Sequence, residues 1–362
     1  MRWVLCAMLI AGMRLSTAEA WSNKEHIQLT RIAAERLVAH PTTPPAMRDW
    51  LMRVATPLLN ADAEKAYFLH NRVGPFARGA DALPFWAIVP DMTAMADKYG
   101  RKVEPFGVSE AKLHYIDLEL FMPDPSQQTY ADDLSHRPKL TQIPHDLTDE
   151  RYKTAGMLPF RVEQAYRQMV SSLRAGRLDD APGQYPRDDH ATMWAGCLAH
   201  YLQDSTQPHH ATEDYKSRSY FKGIEPSKAP DVHGDMEYRL VDDDTEDYKD
   251  LRQVMWAAFA EELQQIHDPV QTKDPWQSTV EVCLISYEAL PMIGRAAKLA
   301  YPKAGPDGPG PWKAEAFFYY AGDYRGRSTT VLRMKAHQWA WAVNRVEKLW
   351  RQAWDEAHAA RQ

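Results

Sequence analysis

The C-terminal segment 328–360 most narrows the folds open to this chain, because its apolar residues recur at helical spacing. They are Val331, Leu332, Met334, Trp339, Val343, Val346, Leu349, Trp350 and Trp354. A stripe of this kind packs one helix face against a core. Similar periodicity recurs along the chain, and few stretches alternate strictly as half-buried strands do. We therefore predict an all-α fold, a single-domain bundle of many helices.

The predicted helices alternate with long segments rich in Pro, Asp and Gly, which are typical of surface loops. The helices are predicted over 24–39, 45–58, 108–120, 159–176, 189–206, 233–242, 249–266, 276–300 and 328–360. The longest loops are predicted over 122–150, 178–190, 211–232 and 302–312. Ordered loops of this length often have a function.

The first twenty residues have the composition of a secretory signal. Arg2 precedes an apolar run over 3–13, and the tripeptide Ala-Glu-Ala at 18–20 is a typical cleavage pattern. The run is shorter than the about 20 apolar residues that a transmembrane helix needs. We predict that residues 1–20 are removed and that residues 21–362 form one domain, which is secreted or periplasmic.

Charge and cysteine content narrow the classes of function. The chain has a formal net charge of −6, which does not favour duplex nucleic acid, whose binding proteins usually carry basic patches. Transient contact with an anionic membrane would need bound divalent cations rather than basic patches. Cys197 and Cys283 are the only cysteines after residue 20, so disulfides do not build the fold, and whether these two pair stays open.

The densest group of chemically useful residues lies in the helix predicted over 189–206. His200 and Asp204 are four residues apart and share one helix face, which its apolar neighbours mark as buried. A buried carboxylate is costly unless it is paired or binds a metal. Pro208 ends the helix, so the following loop can return His209 or His210 to the same place.

Similar pairs occur elsewhere. His233 and Glu237 are again four apart, Asp91 follows a proline, and the remaining groups are His114 with Asp117 and His26 close to Trp21. Each pair alone is more typical of an ion pair or a helix cap. Several such pairs on separate helices indicate a metal cluster, since helix bundles build these clusters from inward-facing side chains.

The order and local spacing of these residues resemble those of the zinc-dependent phospholipases C and the P1/S1 nucleases. The resemblance runs from about Trp21 to Glu237, and the C-terminal helices fit only in character. In that superfamily a tryptophan becomes the mature N-terminus, and its α-amino group and carbonyl bind zinc together with a nearby histidine. Here Trp21 directly follows the predicted cleavage point, and His26 follows it.

The resemblance implies a fold of the phospholipase C/P1 nuclease type that binds about three zinc ions. The implied ligands are Trp21, His26, Asp91, His114, His200, Asp204, His210, His233 and Glu237. Asp204 would bridge the ion bound by the first two ligands and the ion bound by the next three. The last three ligands would bind the third ion, with His210 preferred to His209 on the spacing of the superfamily.

The implied activity is that of a phosphodiesterase, a hydrolase that uses a zinc-activated water. Zinc polarises a phosphodiester, lowers the pKa of bound water toward about 7 and neutralises charge on the leaving oxygen. A protein nucleophile is then not required. Asp91 and Asp117 are the candidate catalytic residues, which would orient the water or accept its proton.

The two branches of the superfamily share their zinc ligands and differ in substrate. The five-residue step from Trp21 to His26 resembles the nuclease branch, whereas Glu237 in place of an aspartate resembles the phospholipase branch. Ala94 stands where the nucleases commonly carry a lysine. Lys24 stands where choline-preferring phospholipases often carry an acidic residue.

We therefore predict a phospholipase C-like hydrolase, with a single-strand nuclease as the alternative. A third hypothesis is a non-catalytic protein that zinc stabilises. The predicted partner is a phosphodiester substrate, either a phospholipid or a single-stranded nucleic acid, and no protein partner is implied. Aromatic residues such as Phe85, Trp86 and Tyr115 would stack a base, line an acyl-facing groove or, as most aromatics do, pack in the core.

Overall fold

The computed structural model describes residues 22–55, 82–96, 102–122, 134, 137–179, 190–241 and 248–359. These residues are mostly helical, which confirms the predicted helical class. The α-helices are α1 (Asn23–Ala39), α2 (Pro45–Val54), α3 (Ala82–Trp86), α4 (Val89–Ala96), α5 (Tyr152–Ala155), α6 (Leu158–Arg174), α7 (Ala191–Ser205), α8 (Val232–Glu237), α9 (Lys249–Gln265), α10 (Pro275–Tyr287), α11 (Leu290–Ala300), α12 (Ala314–Phe318) and α13 (Val331–Ala359). Strands β1 (Ala321–Tyr324) and β2 (Arg327–Thr330) form an antiparallel hairpin that pairs Ala321 with Thr330. Short 3-10 helices lie at Glu110–Leu113, Leu118–Phe121, Leu140–Gln142, Pro208–Ala211 and Arg218–Phe221.

The long C-terminal helix α13 packs against α1, α6, α7 and α9. All nine residues of its predicted apolar stripe are buried, and Trp339 and Trp350 are completely enclosed. The indole nitrogen of Trp350 donates a hydrogen bond to the backbone carbonyl of Ala195 in α7 at 3.0 Å. Burial of this stripe places α13 directly behind the helices that carry the candidate ligands.

Buried apolar side chains from Ile27 in α1 to Ala357 in α13 form one contiguous cluster. Proteins of this size bury a large share of their surface, and such a cluster is the usual sign of a shared core. The predicted boundary between residues 20 and 21 lies outside the described residues. Within the described residues, no helix is long and apolar enough to cross a membrane.

The prediction of one helix over 108–120 is wrong. The segment forms two short 3-10 helices with an extended stretch between them. In that stretch the backbone nitrogen of Ile116 donates to the carbonyl of His210 at 2.9 Å, and that of Asp117 donates to Ala155 at 2.6 Å. Contacts with distant segments thus replace the local hydrogen bonds of a helix.

The helix predicted over 276–300 is two helices, α10 and α11, which a turn at residues 288–289 separates. Pro291 stands in the first turn of α11, where its missing N–H costs nothing, and it disfavours helical backbone just before it. The last predicted helix begins at Val331 rather than at 328, because residues 327–330 pair as β2. Helices α3, α4, α5 and α12 were not predicted, since they are too short for a periodic pattern.

Candidate metal centre

The first turn of α1 positions His26. The side chain of Ser22 accepts a hydrogen bond from the backbone of Glu25, and the Glu25 carboxylate accepts one from the backbone of Ser22 at 3.1 Å. This reciprocal capping box sets where the helix begins. His26 therefore lies in the first turn, completely buried and directed toward α7.

Helix α7 supplies His200 and Asp204 one turn apart, and both are completely buried. Gly196, one turn earlier, allows α3 to approach closely. A Cβ atom at this position would lie 2.5 Å from the Cβ of Trp86. The close approach brings the carbonyl of Ala87 to the ring of His200, whose Nδ1 donates a hydrogen bond to it at 2.7 Å.

Five of the predicted ligands meet in one buried group, which we call the first ligand group: His26, Asp91, His114, His200 and Asp204. The two carboxylate oxygens of Asp204 face different histidines. Oδ1 lies 3.5 Å from Nε2 of His26, and Oδ2 lies 3.1 Å from Nδ1 of His114 and 3.3 Å from Nε2 of His200. Asp91 lies across the group, 3.5 Å from His114 and 3.6 Å from His200.

Three of the other four predicted ligands form the second ligand group, which consists of His210, His233 and Glu237. Nε2 of His210 lies 3.4 Å from Oε1 of Glu237, and Nε2 of His233 contacts the same oxygen. The side chain of Gln207 also donates to this oxygen at 2.9 Å. His233 and Glu237 come from one face of α8, and His210 comes from the 3-10 helix that follows α7.

The outer hydrogen bonds of the histidines direct acceptor nitrogens at the carboxylates. Nδ1 of His26 donates to Oε1 of Gln203 at 2.6 Å, and Nδ1 of His210 donates to the backbone carbonyl of His114 at 2.6 Å. With the proton on Nδ1, Nε2 of a neutral ring presents a lone pair. These lone pairs point toward Asp204 and Glu237, so acceptor faces acceptor unless a cation lies between them.

The protonation states fit a cation. Burial lowers the pKa of His26 well below its usual value, and the neighbouring His200 lowers it further. Burial and the nearby His210 likewise lower the pKa of His233. Burial alone would raise the pKa of Asp204, but His200 and His114 hold it well below the usual range. Neutral imidazole and ionised carboxylate are the forms that bind metal ions.

Buried polar atoms of the first ligand group also point to a missing partner. Within the described residues, Nε2 of His26 and Oδ1 of Asp204 make no hydrogen bond, although both atoms are fully enclosed. Buried polar atoms in native proteins are nearly always satisfied by protein, water or an ion. The residues therefore suit metal ions, and both ligand groups could hold them.

Eight of the nine predicted ligands are thus brought together in the two groups. The ninth, Trp21, lies outside the described residues. Of the two adjacent histidines, His210 belongs to the second ligand group, whereas the ring of His209 contacts Oγ of Ser217 at 3.2 Å.

A cavity of about 310 Å³ opens beside the second ligand group, and His210 and His233 form part of its wall. Its other lining residues are Ala111, Tyr115, Asp117, His209, Thr212, Glu213 and Tyr215. Tyr115 and Asp117 were identified from the sequence, whereas Tyr215 and Glu213 were missed. Both missed residues lie in the predicted loop 211–232, so the length of that loop was the available signal.

Acidic groups cluster at this cavity. Burial, with the neighbouring Glu119 and Glu213, raises the pKa of Asp117 to about 8. Burial also raises the pKa of Glu119, which accepts hydrogen bonds from Thr212 and from the backbone of Glu213. The cavity therefore combines possible metal ligands with a carboxyl group that can hold a proton near neutral pH.

Three aromatic residues and two cysteines remain among the candidates from the sequence. Phe85 and Trp86 are buried in the core, as most aromatics are, whereas Tyr115 reaches the cavity. Cys197 and Cys283 are both free and buried, so they do not form the disulfide that the sequence left open.

Comparison of the chain with known protein families and with curated proteins gives no match. Assignment of a function therefore rests on the site itself.

Proposed function

We propose that this protein is a zinc-dependent phosphodiester hydrolase of the phospholipase C type. The observation that carries the proposal is that buried histidines direct acceptor nitrogens at buried carboxylates in both ligand groups, the second of which lies beside a cavity. Neutral imidazole and carboxylate together suit zinc, which binds both at four-coordinate sites. The overlapping groups of His26, Asp91 and His200, of His114, His200 and Asp204, and of His210, His233 and Glu237 support about three ions.

Asp204 has the position of a bridging ligand in this proposal. Its two oxygens face His26 on one side and His114 and His200 on the other. The α-amino group of Trp21 would complete the site at His26 once residues 1–20 are removed. When bound, zinc supplies Lewis acidity, which polarises a phosphodiester and activates water at neutral pH.

Of the two predicted catalytic residues, Asp117 is better suited to accept a proton. Asp91 lies within the first ligand group, where its oxygens face His114 and His200. Asp117 instead lines the cavity, and it belongs to neither ligand group. Its raised pKa makes the ionised carboxylate a stronger base than an exposed aspartate. We therefore assign metal binding to Asp91 and proton transfer to Asp117.

The lining of the cavity bears on the substrate. Asp117 and Glu213 both face it, and the chain as a whole is acidic. A polyanionic strand would be repelled there more than a lipid headgroup that carries one phosphodiester, which supports the phospholipase reading. The specific observation that favours a single-strand nuclease is the pair Tyr115 and Tyr215, whose rings offer surfaces for base stacking worth about 1–3 kcal/mol each.

An assay of the zinc-loaded chain that begins at Trp21 tests the proposed function. We expect hydrolysis of phosphatidylcholine or phosphatidylethanolamine vesicles that releases a phosphomonoester, with at least tenfold slower cleavage of single-stranded DNA and RNA. The reverse order of rates would favour the nuclease. Zinc-dependent stability without turnover of either substrate would support the non-catalytic hypothesis and contradict the proposal.

Replacement of Asp117 with asparagine should lower kcat/KM by about 10²–10⁴-fold, the usual contribution of a general base, while zinc content stays unchanged. The base must be ionised to accept a proton, so the activity of the wild-type protein should rise with pH. The midpoint of this rise should lie below pH 8, because bound cations lower the pKa of Asp117. Steady-state kinetics between pH 5 and 9 measure both effects.

Glu213→Gln is the matched control, because Glu213 lines the same cavity and raises the pKa of Asp117. It should change the maximal rate less than tenfold and move the acidic limb of the pH–rate profile to lower pH.

The stability of zinc-free protein gives a second check on Asp117. The folded pKa of Asp117 exceeds the unfolded value, so its stabilisation is complete below about pH 3.8 and lost as pH rises through about 8. Zinc-free Asp117→Asn should therefore be more stable than the wild-type protein at pH 9. Full activity of the zinc-loaded variant would refute the assignment of proton transfer to Asp117.

A further inference from the structure

Lys335 in α13 is completely buried and contacts a chain segment of each ligand group. Its ammonium group lies 2.7 Å from Oε1 of Glu25 and donates to the backbone carbonyls of Met236 and Glu237 at 2.5 and 2.9 Å. The side chains of Lys335 and Glu25 both have 0% exposure. A buried ammonium is costly unless its three donors are satisfied and its charge is neutralised, and these contacts meet both requirements.

On one side, Lys335 fixes the end of α8. The carbonyls of Met236 and Glu237 belong to the last turn of this six-residue helix, which carries His233 and Glu237 on one face. Carbonyl groups at a helix end have no partner inside the helix, and a cation stabilises them. The backbone at Glu237 is therefore held by a side chain from another helix rather than by α8 itself.

On the other side, Lys335 fixes the start of α1 through Glu25. One carboxylate oxygen of Glu25 accepts from Lys335, and the other accepts from the backbone nitrogen of Ser22 at 3.1 Å. Glu25 immediately precedes His26, and Ser22 immediately follows Trp21. The same carboxylate thus holds the backbone at the start of α1, next to His26.

We infer that Lys335 is a positioning residue that couples the two ligand groups, so that metal binding depends on the C-terminal helix. This inference rests on the proposed metal centre and assigns it a residue that binds no metal. Lys335 acts through Glu25 on the first ligand group and through the backbone of Glu237 on the second. A single side chain from α13 therefore contacts both the start of α1 and the end of α8, the two segments that carry His26 and Glu237.

Lys335→Met tests the inference, since methionine keeps the unbranched shape and removes the charge and all three donors. Competition titration of the zinc-loaded mature chain with a chelator should show zinc affinity lowered by about 10–100-fold, as when a hydrogen-bond partner of a ligand is removed. Arg345→Met is the matched control. Arg345 is equally buried in the same helix, where it pairs with Asp268 at 2.9 Å and donates to Ser278 at 2.7 Å.

Both variants should lose stability, but Arg345→Met should retain wild-type zinc affinity. Equal zinc affinity in the two variants, or wild-type affinity in Lys335→Met, would show that Lys335 only stabilises the fold. If Lys335→Met does not fold, Glu25→Gln replaces it, and unchanged zinc affinity there would also overturn the inference. Zinc affinity separates the two proposals. A wild-type protein that binds no zinc would refute the metal centre, whereas variants that bind zinc as tightly as the wild type would refute only the role of Lys335.

Discussion

Replacement of Asp204 with asparagine should remove zinc from the first ligand group and reduce phosphodiesterase activity by more than about 10³-fold. Loss of an outer hydrogen-bond partner of a ligand costs about 10–100-fold, and loss of a shared ligand should cost more. The amide keeps the shape of the side chain but removes the charge that faces His26, His114 and His200. Elemental analysis of dialysed protein and initial rates measure the two losses.

Asp235→Asn is the matched control for this prediction. Asp235 is also completely buried, and it stands in α8 between His233 and Glu237 along the chain. Its carboxylate instead faces Arg239 at 3.0 Å and accepts a hydrogen bond from Tyr301 at 2.5 Å. This variant should keep its zinc. An Asp204→Asn protein with full metal content and full activity would contradict both the bridging role and the proposed mechanism.

Removal of metal by a chelator should lower the melting temperature of the chain that begins at Trp21 by about 20 °C or more. A ligand at about a thousand times its Kd stabilises the folded state by ~4 kcal/mol, so three bound ions contribute up to about 12 kcal/mol. Each kcal/mol shifts the Tm of a large domain by roughly 2–4 °C. Without cations, the acceptor nitrogens of His26 and His210 again face Asp204 and Glu237.

Scanning calorimetry with and without chelator measures this shift, and added zinc should restore the original Tm. Elemental analysis of the same dialysed samples should give about three zinc ions per chain. A chain that still carries an extension before Trp21 is a useful comparison, because it lacks the α-amino group at that residue and should bind one ion less tightly. An unchanged Tm and no bound zinc would reduce the histidine and carboxylate pairs to ordinary ion pairs.

The pairs of ligands on one helix could be predicted from the sequence because the two residues of each pair are close in the chain. His200 with Asp204, and His233 with Glu237, share a helix face wherever the helix lies, so one turn of α7 and one turn of α8 were enough to predict each pair. The apolar stripe of α13 was accessible for the same reason. The grouping of His26, Asp91 and His114 around α7 was predicted only through the resemblance, since these residues come from separate segments.

The wrong and the missing predictions all concern residues whose structure depends on contacts with distant parts of the chain. The segment around His114 was predicted as helix, but backbone hydrogen bonds to Ala155 and His210 hold it extended. Tyr215 and Glu213 were missed because a loop has no periodicity that shows which residues face a cavity. Lys335 was missed because a lysine within an amphipathic helix is normally exposed, and only its partners Glu25 and Glu237 make its burial favourable.

The sequence by itself determined the helical class, the apolar face of α13 and the local pairs of histidine and carboxylate. These properties depend on spacing within one turn or one helix, which the backbone geometry of the α-helix imposes. Only the tertiary structure decided that Asp117 lines the cavity beside His210 and His233, and that Lys335 contacts both α1 and α8. Such contacts join residues far apart in the chain, and their geometry is set by how the buried faces of several helices pack at once.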